Sequence, residues 1–167
     1  MIAGRTASDM PGLDIAEQRS WQNFLDSALR MYATLNRSLV DAHHLTLNDV
    51  RLLDMLDKST TGSARMGDLA DGLMSLPSRV TRQIRRLEMQ GLVRRGASPD
   101  DGRGVLASIT PEGRAALATA MQTYGDAVRT HFLDRLSRPQ VTAMGENCRR
   151  ISAGLKTGAP QPKLGRV

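Results

Sequence analysis

One helix-sized segment constrains this chain more than any other. Leu76, Val80, Ile84 and Leu87 recur at steps of three and four. Ser78, Arg82 and Arg85 fall opposite them on a 3.6-residue wheel, with Arg79 and Arg86 on one flank. A helix of this pattern docks its apolar face and presents its arginines outward. Ser75 is read as its cap, and Pro77 sits in the first turn, where a missing N–H costs little. Gly91 is read as the left-handed cap that ends it. Residues 92–95 and 105–109 then read as two short strands around a polar, glycine-containing hairpin tip. A short helix at about residues 67–74, carrying Leu69, Ala70 and Leu73, comes before. Short helix, turn, basic helix and hairpin, in that order, describe a winged helix-turn-helix.

Charge gives that unit a partner. From Arg79 to Arg95 there are six arginines and one acid, Glu88, in a chain whose net charge is +6. Positive charge concentrated on one helix and hairpin suits duplex DNA. Phosphate neutralisation supplies sequence-independent affinity, and an exposed helix of groove width reads base edges. The aromatic residues Trp21, Phe24, Tyr32, Tyr124 and Phe132 all lie outside the basic stretch, which argues against stacking on single strands or RNA. The sequence has no phosphate-cradling glycine loop, zinc-ligand spacing or nucleophile elbow, so neither an enzyme nor a cofactor is expected. A single cysteine, Cys148, excludes an intramolecular disulfide framework. No apolar run approaches the roughly 20 residues of a membrane span. The first residues lack the apolar core of a secretory signal, so a cytoplasmic location is expected.

The rest of the chain reads as flanking helices. Residues 1–12 are expected to be disordered and 13–44 to form a long helix with Trp21, Phe24, Ala28, Tyr32, Leu35 and Leu39 on one stripe. The DNA-binding unit is assigned to 45–110. It opens on a helix with Thr46 as N-cap, Asp49 completing an acidic capping box, and Val50, Leu53 and Leu56 facing inward. Residues 59–63 are a turn by composition. Residues 111–156 read as two helices. The first opens on Thr110 and Pro111 and carries Leu117, Met121, Tyr124, Val128 and Phe132. The second has capping-box spacing from Ser137 to Gln140. A heptad-like seam of Val141, Met144, Cys148, Ile151 and Leu155 follows, in which Cys148 reads as a small buried hydrophobe. Residues 157–167 read as a flexible tail. Both terminal stripes are too long for the central unit to cover, so they are expected to pack on a second copy. The fold class is therefore mainly α with a small β-hairpin wing: a winged helix-turn-helix flanked by long N- and C-terminal dimerisation helices.

The motifs in this order resemble the MarR family of transcriptional regulators. The resemblance rests on three pieces: Gly67-Asp-Leu-Ala with Ser78-Arg-Val-Thr-Arg82, Leu87-Glu-Met-Gln-Gly91-Leu-Val-Arg-Arg95, and Pro99-Asp-Asp-Gly-Arg-Gly104 with Ile109-Thr-Pro-Glu-Gly113. Asp101 and Arg103 match the family's Asp-x-Arg wing element, and Gly102 stands where a second arginine is common. Thr110 and Gly113 match its Thr-x-x-Gly element. The resemblance implies a homodimer on a pseudo-palindromic operator. Many members are repressors released by a small aromatic or lipophilic ligand, or by thiol oxidation. The thiol-sensing members tend to carry their cysteine near the N-terminus, where this chain has none.

Residue roles follow. Ser75, Ser78, Arg79 and Arg82 occupy the groove-entering half of the recognition helix, with Arg82 the leading candidate for bidentate contact to guanine. Arg85, Arg86, Arg94 and Arg95 are assigned to phosphate or solvent. Arg103 suits a narrow minor groove, with Asp101 orienting it through a charge-assisted hydrogen bond. Trp21, Tyr32 and His44 lie on or near the first helix, where the resemblance implies the bounds of a ligand pocket. No metal site is expected. Adjacent His43 and His44 point about 100° apart on a helix, and His131 is the only other histidine. The expected function is a sequence-specific double-stranded DNA-binding regulator, a homodimeric repressor relieved by a small molecule. A sequence-tolerant architectural DNA-binding protein is the alternative.

Overall fold

The structure, a computed structural model, describes residues 10–97 and 105–158. They fall into two compact units, one ending at Gly125 and the other beginning at Asp126. The first contains α1 (Ile15–His43), α2 (Leu47–Lys58), β1 (Ser63–Arg65), α3 (Met66–Gly72), α4 (Pro77–Met89), β2 (Val93–Ala97) and β3 (Val105–Ile109). It also contains most of α5 (Pro111–His131). The second holds the end of α5, a 3₁₀ turn at Leu133–Arg135 and α6 (Arg138–Gly158). The expected 1–12 segment, the 157–167 tail and the hairpin tip fall wholly or largely outside the described residues.

The winged helix-turn-helix is present. Its sheet has the order β1-β3-β2, antiparallel throughout, with Val93 opposite Ile109 and Ala97 opposite Val105. The composition of residues 59–63 predicts a turn, and the structure adds a third strand there: Ser63, Ala64 and Arg65 pair with Ser108, Ala107 and Leu106. The Ser63 and Ser108 hydroxyls meet across the ladder at 2.7 Å. The core is filled by Leu39 of α1, Leu52, Leu53 and Leu56 of α2, Leu69 of α3, and Val80, Ile84 and Leu87 of α4, with Val93 and Ala107 from the sheet.

Helix ends follow local chemistry. Asp14 and Glu17 form a reciprocal capping box at α1, and Thr46 with Asp49 forms another at α2. Gly91, at φ +75°, ends α4; its N–H bonds Glu88 O and the Leu92 N–H bonds Leu87 O, the paired bonds of a Schellman ending. The same pattern closes α3 on Met74, at φ +50°, through Met74 N–H to Asp71 O and Ser75 N–H to Ala70 O.

That ending corrects two expectations. Ser75 does not cap α4: it completes the turn after α3, and the N-cap position belongs to Leu76, with no side-chain cap bond. Leu76 therefore lies outside the helical period and is 62% exposed, while Val80, Ile84 and Leu87 carry the apolar face alone. Pro77 opens the helix at its first position.

Thr110 ties the wing to α5. Its hydroxyl donates to Gly91 O at 2.7 Å and accepts from Gly113 N–H at 2.9 Å. Gly113 is buried under the turn. A Cβ there would fall inside van der Waals distance of the Leu92 carbonyl oxygen and 2.9 Å from Ile109 Cγ1. Because the obstacle is backbone, Gly113→Ala should destabilise by about 1–3 kcal/mol, outweighing the roughly 1 kcal/mol helix-propensity gain of alanine over glycine. Urea unfolding measures this, and an unchanged midpoint would mean that the turn yields freely.

The apolar stripe of α1 divides in two. Leu35 and Leu39 are buried, but Trp21, Phe24 and Tyr32 remain exposed, and the Trp21 and Phe24 rings pair 5.9 Å apart and tilted. In the second unit the α6 seam stays open. Met144, Ile151 and Leu155 are exposed, and so is Cys148, which corrects its reading as a buried hydrophobe. Val141 is only half-buried.

Candidate nucleic-acid interface

On α4 the 3.6-residue period separates two chemistries. Val80, Ile84 and Leu87 are fully buried, and this anchorage leaves Ser78, Arg79, Arg82 and Arg85 exposed to solvent. Arg79, Arg82 and Arg85 have no ion-pair partner among the described residues, so their donors are free to meet an external acceptor.

Arg86 is placed differently. Its Nη2 donates to Asp49 Oδ1 on α2, a carboxylate with no exposed surface. Gln83 Nε2 donates to the same oxygen at 2.9 Å. The other oxygen, Oδ2, accepts from the Thr46 N–H at 2.8 Å and the Thr46 hydroxyl at 2.6 Å. Asp49 thus completes the cap of α2 and holds the flank of α4. Thr46, Asn48, Asp49, Arg79, Arg82, Gln83 and Arg86 line one concavity of about 340 Å³ beside the exposed face.

On the wing, strand alternation turns Arg94 and Arg95 to opposite sides of the sheet. Arg95 pairs with Glu88 of α4 through Nε at 2.7 Å and Nη2 at 2.6 Å, and its N–H donates to the same carboxylate. Arg94 is exposed. Asp101 and Arg103 lie outside the described residues. Sequence reading therefore finds the arginine face but misses the Asp49 and Glu88 tethers, because both close across elements that only the tertiary fold brings together.

These pairings predict unequal salt dependence. Each true phosphate contact adds about 0.9 to the slope of log affinity against log salt. Arg85→Ala should lower that slope by about this amount, whereas Arg95→Ala, removing a charge already matched by Glu88, should leave it nearly unchanged. Equal changes for both would show that the Glu88 pair opens on DNA.

The residues named for a ligand do not converge within the chain. Trp21 and Tyr32 are separated by about 16 Å along α1 at 1.5 Å per residue. His44 lies beyond the helix end as its left-handed C-cap. His43 instead meets the Thr123 hydroxyl at 2.7 Å. Among the described residues no group of three or more His, Cys, Asp or Glu side chains is arranged to hold a metal. No helix among them is long and apolar enough to cross a membrane.

Comparison with known proteins places this geometry. A sequence model of the MarR family matches residues 45–105. The structure is similar to AbsC, a MarR family transcriptional regulator from Streptomyces coelicolor. The two share 30% identity at TM-score 0.82, covering 89% of this chain and 99% of AbsC. It is similar to Sco3205, a MarR family regulator of the same organism solved in complex with DNA, at 31% identity and TM-score 0.83, covering 93% and 96% of the two chains. Bordetella bronchiseptica BpsR, whose DNA binding is regulated by 6-hydroxynicotinic acid, shares the fold at 21% identity and TM-score 0.70, covering 80% and 98%. No curated protein sequence matches the chain.

Proposed function

The chain belongs to the MarR family of transcriptional regulators, and from that premise we propose that it is a homodimeric repressor reading a pseudo-palindromic DNA operator, released by a small-molecule ligand. Members of this family are transcriptional regulators, not enzymes. The observation that carries the proposal is the α4 face: Ser78, Arg79, Arg82 and Arg85 stand exposed over a fully buried Val80, Ile84 and Leu87. An anchored helix with three arginines that carry no ion pair among the described residues, and a hydroxyl, meets the needs of major-groove reading. In this reading Arg82 contacts a base, and Arg79 and Arg85 contact base or phosphate. Ser75 and Arg94 lie at the margin of the interface, and Asp101 with Arg103 serves the wing.

The DNA complex of Sco3205 supports the partner class, and BpsR is a same-fold precedent for ligand control. Dimerisation is assigned to residues 13–44 and 111–156, whose uncovered apolar seams need a partner surface, and DNA reading to 45–110. Such a protein acts in the cytoplasm, beside its DNA. A ligand acts only through different affinity for two spacings of the recognition helices. DNase footprinting on DNA upstream of the gene, with the protein:DNA stoichiometry, tests the proposal. The expected result is two protomers protecting two half-sites about 10 bp apart, centre to centre, or a small multiple of that. One protomer per site, or protection spreading without boundaries, would overturn it.

A further inference from the structure

The Asp49 cluster has a role beyond folding. Asp49 is a buried carboxylate that completes the cap of α2, and its second oxygen takes Gln83 and Arg86 from one flank of the DNA-facing helix. Arg86 keeps about 40% of its side chain exposed and lines the same concavity as Arg79 and Arg82, so it stands beside the exposed arginines of α4. It is the only arginine of the described α4 that carries a matched acid. Arg79, Arg82 and Arg85, on the same thirteen-residue helix, carry none among the described residues.

We propose that Asp49 is a specificity-determining positioning residue: it fixes the rotation of α4 and withdraws the charge of Arg86 from the phosphate-binding set, so that the helix is retained by base contacts rather than by non-specific charge. The inference rests on the DNA-reading function proposed above. It reassigns Arg86, read from sequence as facing phosphate or solvent, to a tether between α2 and α4. The physics is a competition for one guanidinium. A buried carboxylate backed by Thr46 and Gln83 is fixed in place, so Arg86 need not be ordered again when DNA arrives. A phosphate would have to displace a pair that is already formed and charge-assisted. Without Asp49, the freed guanidinium adds a mobile positive charge to the face. Added charge of that kind strengthens binding to all sequences and lowers the ratio between right and wrong ones.

The test uses the full-length protein and two substitutions, with affinity for operator and for scrambled duplex measured across salt concentrations. Arg86→Gln should leave the salt slope unchanged while operator affinity falls several-fold, because the tether is lost but no phosphate contact is. Asp49→Asn, nearly isosteric, should steepen the slope by about 0.9, hold or raise affinity for scrambled DNA, and lower the operator-to-scrambled ratio at least tenfold. A drop of about 0.9 in slope for Arg86→Gln would show a direct phosphate contact and overturn the proposal. Equal losses on both DNAs with an unchanged slope for Asp49→Asn would reduce Asp49 to a stability element and also overturn it. If Asp49→Asn does not fold, the Arg86→Gln slope decides alone. An unmutated protein that fails to distinguish operator from scrambled DNA would contradict the DNA-reading function itself, a separate outcome.

Discussion

Replacing Ile151 and Leu155 together by aspartate is expected to give a monomer whose affinity for operator is lower by about 100- to 10,000-fold. The two side chains are 54% and 69% exposed on the α6 seam, next in register to Met144 and Cys148 at steps of three and four. Such a row is costly to leave in water and is what a second helix takes up. In a two-fold dimer each substitution appears twice, so four apolar side chains are lost. A fully buried aliphatic side chain is worth about 1.5–3 kcal/mol, and only the part still exposed is covered on association, so the loss is on the order of 4–7 kcal/mol before any carboxylate is desolvated. A nanomolar dimer is worth about 12 kcal/mol, so this loss together with the cost of burying four unpaired carboxylates largely abolishes association. Operator affinity then loses the second half-site, while the affinity of one protomer for random DNA changes little. Sedimentation equilibrium and fluorescence anisotropy measure the two effects. A dimer that persists with unchanged operator binding would show that this seam is not the interface. Neither position belongs to the buried core, so circular dichroism should report an intact fold.

Arg82→Ala carries the second large effect. Arg82 is exposed on the outward face of α4, unpaired among the described residues and flanked in sequence by no buried side chain. Its removal should alter folding stability by no more than about 0.5 kcal/mol. A bidentate arginine–guanine contact gives about 1–3 kcal/mol of discrimination, so operator affinity should fall roughly 5- to 150-fold per half-site while scrambled DNA loses only one phosphate-like contribution. Arg82→Lys should recover the charge but not the fork, restoring random binding more than operator binding. Equal losses on both DNAs would make Arg82 a phosphate clamp.

Local signals in the sequence disclose most of the fold. The Thr46–Asp49 box, Gly91 as a left-handed end, Pro77 and Pro111 at helix starts, and the alternation into a hairpin all act within a few residues of themselves. The misses have tertiary causes. The apolar period of α4 runs one residue too far, to Leu76, because a wheel does not register that the preceding turn already uses Ser75 to close α3 through Ala70 O. The strand at Ser63–Arg65 has neither β-branched nor aromatic residues to announce it; it exists because β3 offers a free edge.

The site divides along the same line. Which arginines face outward on α4 follows from periodicity, and the exposed Arg79, Arg82 and Arg85 agree with it. Which of them are already committed does not, because Arg86 meets Asp49 across 37 residues and Arg95 meets Glu88 across seven. The seam of α6 illustrates the converse. Its period is plain in sequence, yet Cys148 is exposed rather than buried, since an apolar stripe states a need for cover without stating that the same chain provides it.

An α4 face that reads a particular DNA sequence must prefer its operator over other duplexes. The most direct test is the affinity of the purified protein for DNA upstream of its own gene against a scrambled duplex of equal length, at physiological salt. The expected result is a preference of at least about 10³-fold for the upstream DNA. Comparable affinities for the two would contradict operator reading at that locus and favour a sequence-tolerant, architectural mode, and no binding to either would contradict the DNA interface altogether.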